Sequence, residues 1–254
     1  MARIFISPSK YVQGPGELTR LGEYAKAYGD HALVVISEGG LRRSGDVITA
    51  SLEAAGVAHT YDNFNGECSQ AEIDRLVEVF RASGADFVVG VGGGKIFDTA
   101  KAVAAAVDVP VVIVPTIAAT DAPCSALSVI YTDDGQFKEY QFFKQNPNLV
   151  LMDTDVISKS PVRLTVSGMG DALATYFEAR ACKRSDATTC AGGHVTEAAT
   201  ATRRSSQTAS RPSSRWRPAP APSPSRRSSR PTPCSPGWAS SPRAWPARTP
   251  STTA

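Results

Sequence analysis

Gly90, Gly92, Gly93 and Gly94 place four glycines within five residues, and Lys95 follows at once. Glycine lets the backbone approach a ligand closely. The first N–H groups of a helix point outward at the positive end of its dipole. A buried strand, this glycine run, a lysine and then a helix therefore read as a cradle for pyrophosphate; the plainer alternative is a tight strand–helix turn. It is not a Walker A loop, because Val89 and Ile96 stand where that motif needs Gly and Ser or Thr. Nor is it Gly-x-Gly-x-x-Gly, because Phe97 occupies the third glycine position counted from Gly92. Asp98, one turn into the helix, could accept from the glycine-run N–H groups, hold Lys95, or simply favour the helix dipole as a first-turn acid. A second polar run, Pro115 to Ser125, follows the next apolar segment. Ligands of open α/β sheets sit beyond the carboxyl ends of the strands, so this run would face the glycine turn. Asp121 within it could bind a substrate hydroxyl, or serve as a turn residue beside Pro123.

The elements that must position these residues alternate. His31 to Ser37 is a continuous apolar run of strand length, as expected of a strand covered on both faces. A helix is predicted from Leu41 to Ala55, ending at Gly56, and a strand over Val57 to Tyr61. Ser69-Gln70-Ala71-Glu72 has capping-box spacing, and Ile73, Leu76, Val77 and Phe80 recur on one helical face. Asp86 to Val91 and Pro110 to Val114 read as strands around a helix from Lys95 to Val107. Ala126 to Tyr131 and Glu139 to Phe143 flank a hairpin turn at Asp133-Asp134-Gly135, and Asn148 to Met152 is a last strand. The rhythm predicts an α/β chain, a mainly parallel, doubly wound domain over 1–160. Pro161 opens a different texture: Arg163 to Cys182 is one long helical pattern, and Thr189 to Thr200 can begin another. Residues 161–200 read as the start of an all-helical domain.

Composition divides the chain again. Residues 201–254 hold ten Arg and no Lys, Asp or Glu, so they carry +10 and leave −7 for residues 1–200 of the +3 chain. They hold 11 of the 18 prolines and no Leu, Ile, Val, Phe, Met or Tyr. Such a segment cannot bury enough apolar area to offset its ordering entropy and is expected to be a disordered tail. No apolar run approaches the roughly 18 residues of a membrane span. The N-terminus, Met1 to Phe5, enters a strand-like pattern without a signal-peptide core. The five cysteines, Cys68, Cys124, Cys182, Cys190 and Cys234, are odd in number and include no Cys-x-x-Cys pair. A disulfide framework and a zinc ribbon are therefore not expected, and a cytoplasmic protein is.

Four stretches resemble a known family. They are Gly66-Glu67-Cys68-Ser69; Gly92-Gly93-Gly94-Lys95 with Asp98-Thr99-Ala100-Lys101; Pro115-Thr116-Ile117 with the run Thr120 to Tyr131; and Gly170 to Thr175 with Phe177 to Cys182. From about residue 3 to 199 the chain resembles the glycerol dehydrogenase family, within the iron- or zinc-dependent polyol dehydrogenases of dehydroquinate-synthase-like fold. The resemblance implies NAD held by Gly94, Lys95, Thr116, Ser125, Leu127 and Tyr131. It implies Asp121 near the substrate and Asp171 as ligand of a divalent metal, zinc or else iron, together with two histidines from the later helical domain. The implied reaction is NAD-dependent oxidation of glycerol to dihydroxyacetone, or of a similar small diol, in a homo-oligomer. Family members carry Ser where this chain has Ala119, which bears on one cofactor hydrogen bond. The chain has only three histidines: His31 and His59 fall in strands, and His194 lies 23 residues past Asp171, outside the family pattern.

The tail offers a reason for the missing histidines. Codons for Ser229 to Ala254, regrouped by one base, can spell EANTLLSGVGFES and, further on, GAHAVHNG. That resembles the family segment carrying one metal histidine. A shifted reading frame from about residue 200 is expected, with an incomplete helical domain and impaired turnover. The rivals are a non-catalytic NAD-binding remnant and a genuine basic tail that binds nucleic acid through its phosphates.

Overall fold

A computed structural model describes residues 7–184. The readings made for Met1 to Phe5, for a helix over 189–200, for His194 and for the 201–254 tail with its shifted frame lie outside the described residues.

The unbroken apolar runs become neighbouring strands because both of their faces are covered. Among the described residues β1 (Lys10–Gly14), β2 (His31–Ile36), β3 (Ala58–Asn63), β4 (Phe87–Gly92), β5 (Val111–Pro115) and β8 (Leu149–Asp153) form a six-stranded parallel sheet in the order β1-β8-β5-β4-β2-β3. Strand residues alternate between two cores. Leu33, Val35, Val88 and Ile113 pack with α3 (Gln70–Ser83) and α4 (Gly94–Val107) on one face. Ala32, Val34, Val89 and Val112 pack on the other with α1 (Leu21–Ala25) and α2 (Glu38–Ala54). Gly90 lets α4 settle onto the sheet, since a Cβ there would come within 2.7 Å of the Ala100 Cβ.

The doubly wound reading holds. The chain leaves β2 through α2 for β3 on one side, and leaves β4 through α4 for β5 on the other. Two crossovers departing in opposite directions open a crevice between the carboxyl ends of β2 and β4. The glycine run ends β4 and begins α4 at that crevice.

Several boundaries differ from the sequence expectation. Helix α2 begins at Glu38, three residues early, because Ser37 caps it by accepting from the Gly40 N–H. The Ser69 box is half formed: its hydroxyl accepts from the Glu72 N–H, but the Glu72 carboxylate turns away to the Asn65 N–H and Arg75. Strand β1 was not marked by any apolar alternation. It is placed by parallel pairing with β8 and by Asp153, whose carboxylate accepts from the N–H groups of Gly16 and Leu18.

The predicted hairpin forms a separate two-stranded sheet of β6 (Leu127–Tyr131) and β7 (Phe137–Phe142), with an irregularity between Ile130 and Tyr131. Gly135 closes its turn at φ 80°. After α5 (Thr154–Ser158) and Pro161 comes α6 (Val162–Arg184), the long helix expected there. No described helix is long and apolar enough to cross a membrane.

Candidate functional site

The glycine turn, the polar loop and the start of the hairpin converge on one cleft of 280 Å³. Gly94, Lys95, Asp98, Asp121, Ser125, Leu127 and Tyr131 all line it. Gly92, Gly93 and Thr116 build the wall behind it. Thr116 donates from both its N–H (2.9 Å) and its hydroxyl (3.1 Å) to the Gly92 carbonyl, which joins the end of β5 to the end of β4. A Cβ on Gly93 would meet Ile117 at 2.9 Å, and one on Gly94 would meet the Thr120 methyl at 3.3 Å. The turn is therefore packed closely against the Ile117 and Thr120 side chains of the loop, and α4 presents its N-terminal end to the cleft with no side-chain cap.

Lys95 lies at the rim, half exposed. Its ammonium is 2.5 Å from the Glu67 carboxylate and sits 5.8 Å from the centre of the Tyr131 ring. The pairing of Glu67 with Lys95 spans 28 positions, and no local signal in the sequence reveals it.

Asp98 departs from every role the sequence left open: α4 begins at Gly94 and has no acidic residue in its first turn, so Asp98 is not a first-turn acid either. It holds neither the glycine-run N–H groups nor Lys95. One carboxylate oxygen is 3.0 Å from the Lys101 ammonium, and the other accepts from the Val129 N–H at 3.2 Å. Lys95 and Lys101 both stand three residues from Asp98, so helical phase does not choose between them; Glu67 holds Lys95 at the rim, while Lys101 is buried beside Asp98. Burial raises the pKa of Asp98 and lowers that of Lys101, and their mutual attraction opposes both shifts.

At the far end of the cleft α6 meets the loop. A Cβ on Gly168 would fall 2.1 Å from the Ala118 carbonyl oxygen, so only glycine permits this approach. One turn further, the Asp171 carboxylate accepts from the Asp121 N–H at 3.0 Å. Asp121 has its pKa raised, first by partial removal from water and then by the negative charge of Asp171. Asp121 lines the cleft and Asp171 stands against it, so the two carboxylates make an acidic end beside the cationic glycine end.

A divalent metal fits this acidic end only in part. Among the described residues no group of three or more His, Cys, Asp and Glu side chains is placed to hold a metal ion. His31 and His59 stand on β2 and β3, toward the amino ends of the strands and so away from the crevice. His31 meets the Thr60 hydroxyl at 3.0 Å, and His59 packs edge-on against Tyr61. Pyrophosphate, by contrast, fits the glycine end: α4 begins there without a side-chain cap, its dipole points outward and Lys95 is within reach.

Comparison with known proteins follows the same geometry. The family model for iron-containing alcohol dehydrogenase matches residues 8–154. The glycerol dehydrogenase of Pseudomonas putida is 52% identical over 199 residues, covering 78% of this chain and 54% of that protein. The crystal structure of glycerol dehydrogenase from Schizosaccharomyces pombe superposes with a TM-score of 0.68 at 43% identity, over 73% of this chain and 47% of that one. A probable glycerol dehydrogenase from Sinorhizobium meliloti 1021 gives a TM-score of 0.66 at 42% identity, over 70% and 49% of the two chains. The chain spans about half the length of the curated relatives it matches. Sheet order, glycine turn and family match over more than half of its length agree: the chain belongs to the iron-containing alcohol dehydrogenase family.

Proposed function

We propose that the cleft binds NAD and serves the oxidation of glycerol, or of a similar small vicinal diol, to the hydroxy ketone. The observation that carries this reading is the single cleft with an N–H-rich, cationic glycine end and an acidic end. The likeness to relatives named glycerol dehydrogenase supports the choice of substrate.

In this reading the backbone of Gly92, Gly93 and Gly94 receives the pyrophosphate and Lys95 balances its charge. Thr116 holds the turn in place, and Ser125, Leu127 and Tyr131 line the path of the rest of the cofactor. Asp121 accepts a hydrogen bond from a substrate hydroxyl and so fixes which carbon faces the nicotinamide. NAD, when bound, would supply the two-electron acceptor, taking hydride from the carbinol carbon while the hydroxyl proton would pass to solvent, to give ketone and NADH. Asp171 is the residue that would contribute to a metal, zinc or iron. Among the described residues no third donor stands beside Asp121 and Asp171 to complete a metal site. The α/β portion to about residue 160 is the cofactor domain in this proposal, α6 begins a helical one, and the intact protein is a homo-oligomer.

A second reading, NAD binding without turnover, is favoured by that same shortage of metal donors. Calorimetry with NAD tests the cofactor assignment, and absence of binding overturns it. Production of NADH from glycerol, NAD and added zinc separates the two readings. Turnover supports the dehydrogenase, and binding without turnover supports the remnant.

A further inference from the structure

Lys101 has no place in the function proposed above, yet it is the most fully engaged charged side chain near the cleft. It is 3% exposed. Its ammonium donates to the Ala122 carbonyl at 2.9 Å, to the Ser125 hydroxyl at 3.2 Å and to the Leu127 carbonyl, besides pairing with Asp98 at 3.0 Å. An ammonium has three donors, so these acceptors share them. Stability alone does not account for such a group. Burying an ion pair costs desolvation that an apolar pair of similar volume avoids. What an apolar chain cannot do is gather backbone carbonyls from a loop 21 to 26 positions away.

Asp98 completes the anchor. Its carboxylate accepts from the Val129 N–H at 3.2 Å, and its carbonyl accepts from the Ser128 hydroxyl at 2.8 Å. One turn of α4, Asp98 to Lys101, therefore grips the chain from Ala122 to Val129. The same helix begins at Gly94 in the glycine turn. Seven residues separate Gly94 from Lys101, which is about 10 Å along a rigid helix. Helix α4 thus carries the glycine end of the cleft on its first residue and the loop on its second turn.

We propose that Lys101 is a positioning residue: its buried ammonium sets the distance between the glycine turn and the Asp121–Leu127 loop, and so the fit of the loop-facing half of the dinucleotide. This rests on the reading of the cleft as an NAD site. The glycine end takes the pyrophosphate, while the loop, next to Asp121 and Asp171, faces the reacting half. Loss of the anchor therefore weakens NAD and spares a ligand that stops at the diphosphate.

The test is calorimetry on the full chain with NAD and with ADP, for wild type, Lys101→Met and the double variant Asp98→Asn/Lys101→Met. The double variant removes both charges, so that no uncompensated carboxylate is left buried. Circular dichroism and thermal melts establish which variants fold. In a folded variant NAD affinity falls about tenfold or more, the equivalent of one charge-assisted hydrogen bond. ADP affinity stays within about twofold, because the glycine end keeps its backbone donors. NAD affinity unchanged in a folded variant overturns the proposal, and so does an equal loss of NAD and ADP. Amide exchange without ligand gives an answer independent of the NAD reading. Faster exchange over residues 124–129 with β4 unchanged supports the anchor, and unchanged exchange overturns it. Wild type that binds neither nucleotide overturns the NAD reading, and the exchange result then decides the anchor alone.

Discussion

Replacing Gly94 with Val tests the cleft where its chemistry is most exposed. The new Cβ meets the Thr120 methyl at 3.3 Å, a contact relieved by a shift of a few tenths of an ångström. The two further methyls enter the 280 Å³ cleft that Gly94 lines. The fold has little to lose: Val is a better helix former than Gly by about 0.5 kcal/mol, which offsets the tight contact. The ligand has much to lose. A side chain on the cleft floor holds a pyrophosphate away from the N–H groups at the start of α4, and each charge-assisted hydrogen bond lost costs about 1.5–3 kcal/mol. Loss of one or two such bonds lowers NAD affinity by about tenfold to ten-thousandfold, at 1.4 kcal/mol per factor of ten. ADP affinity falls in parallel, in contrast to the Lys101 variants. The assay is calorimetric titration of the folded Gly94→Val chain with NAD and with ADP, beside a thermal melt. NAD affinity within threefold of wild type, at an unchanged melting temperature, would falsify the cradle assignment.

Three further expectations follow from the same geometry. Gly90→Ala drives a Cβ to 2.7 Å from Ala100 at the junction of β4 and α4; overpacking of this kind costs about 1–3 kcal/mol, seen as a lower melting temperature, and an unchanged melt would show that α4 shifts freely. Glu67→Gln removes the carboxylate that neutralises Lys95 and competes with any bound anion. Because exposed pairs are worth about 0–1 kcal/mol, inorganic pyrophosphate should bind up to about fivefold more tightly, with a steeper salt dependence, and weaker binding would mean that Glu67 orients Lys95 instead of competing for it. Burial pushes the Cys68 thiol up to about 11, so it stays protonated below that pH and reacts only as pH approaches it. Peptide mapping after iodoacetamide treatment at pH 8 should find Cys68 unmodified in the folded chain, and rapid labelling there would show that the 66–69 segment opens.

Much of this protein was legible from local pattern. The unbroken runs at His31 to Ser37 and Pro110 to Val114 marked buried strands, because a strand covered on both faces needs apolar residues at every position. The 3.6-residue spacing of Ile73, Leu76, Val77 and Phe80 marked α3, and all four are buried in it. The glycine run after an apolar strand marked the cleft, since its conformation and its bareness are properties of the residues themselves. Asp133-Asp134-Gly135 marked the hairpin for the same reason. These signals are carried by residues within one turn or one strand of each other.

Other features waited for the tertiary structure, and they share one physical cause: the partner is remote in sequence. β1 has no alternation of its own and exists as a strand through β8, more than a hundred residues away. Asp98 has Lys95 and Lys101 at equal spacing on α4, and it is the remote groups that decide: Glu67 takes Lys95, while Asp98 stays with buried Lys101 and with Val129, 31 positions on. Lys95 found Glu67 across 28 positions, and Asp121 received Asp171 across 50. A charged side chain takes whichever opposite charge or bare backbone group the packed fold brings near, and electrostatic attraction carries no record of sequence distance. Residue types at Gly92–Lys95, Asp121 and Asp171 declared what chemistry was available; the packing of α4 on the sheet and the approach of α6 to the loop at Ala118 and Asp121 decided which of those groups meet.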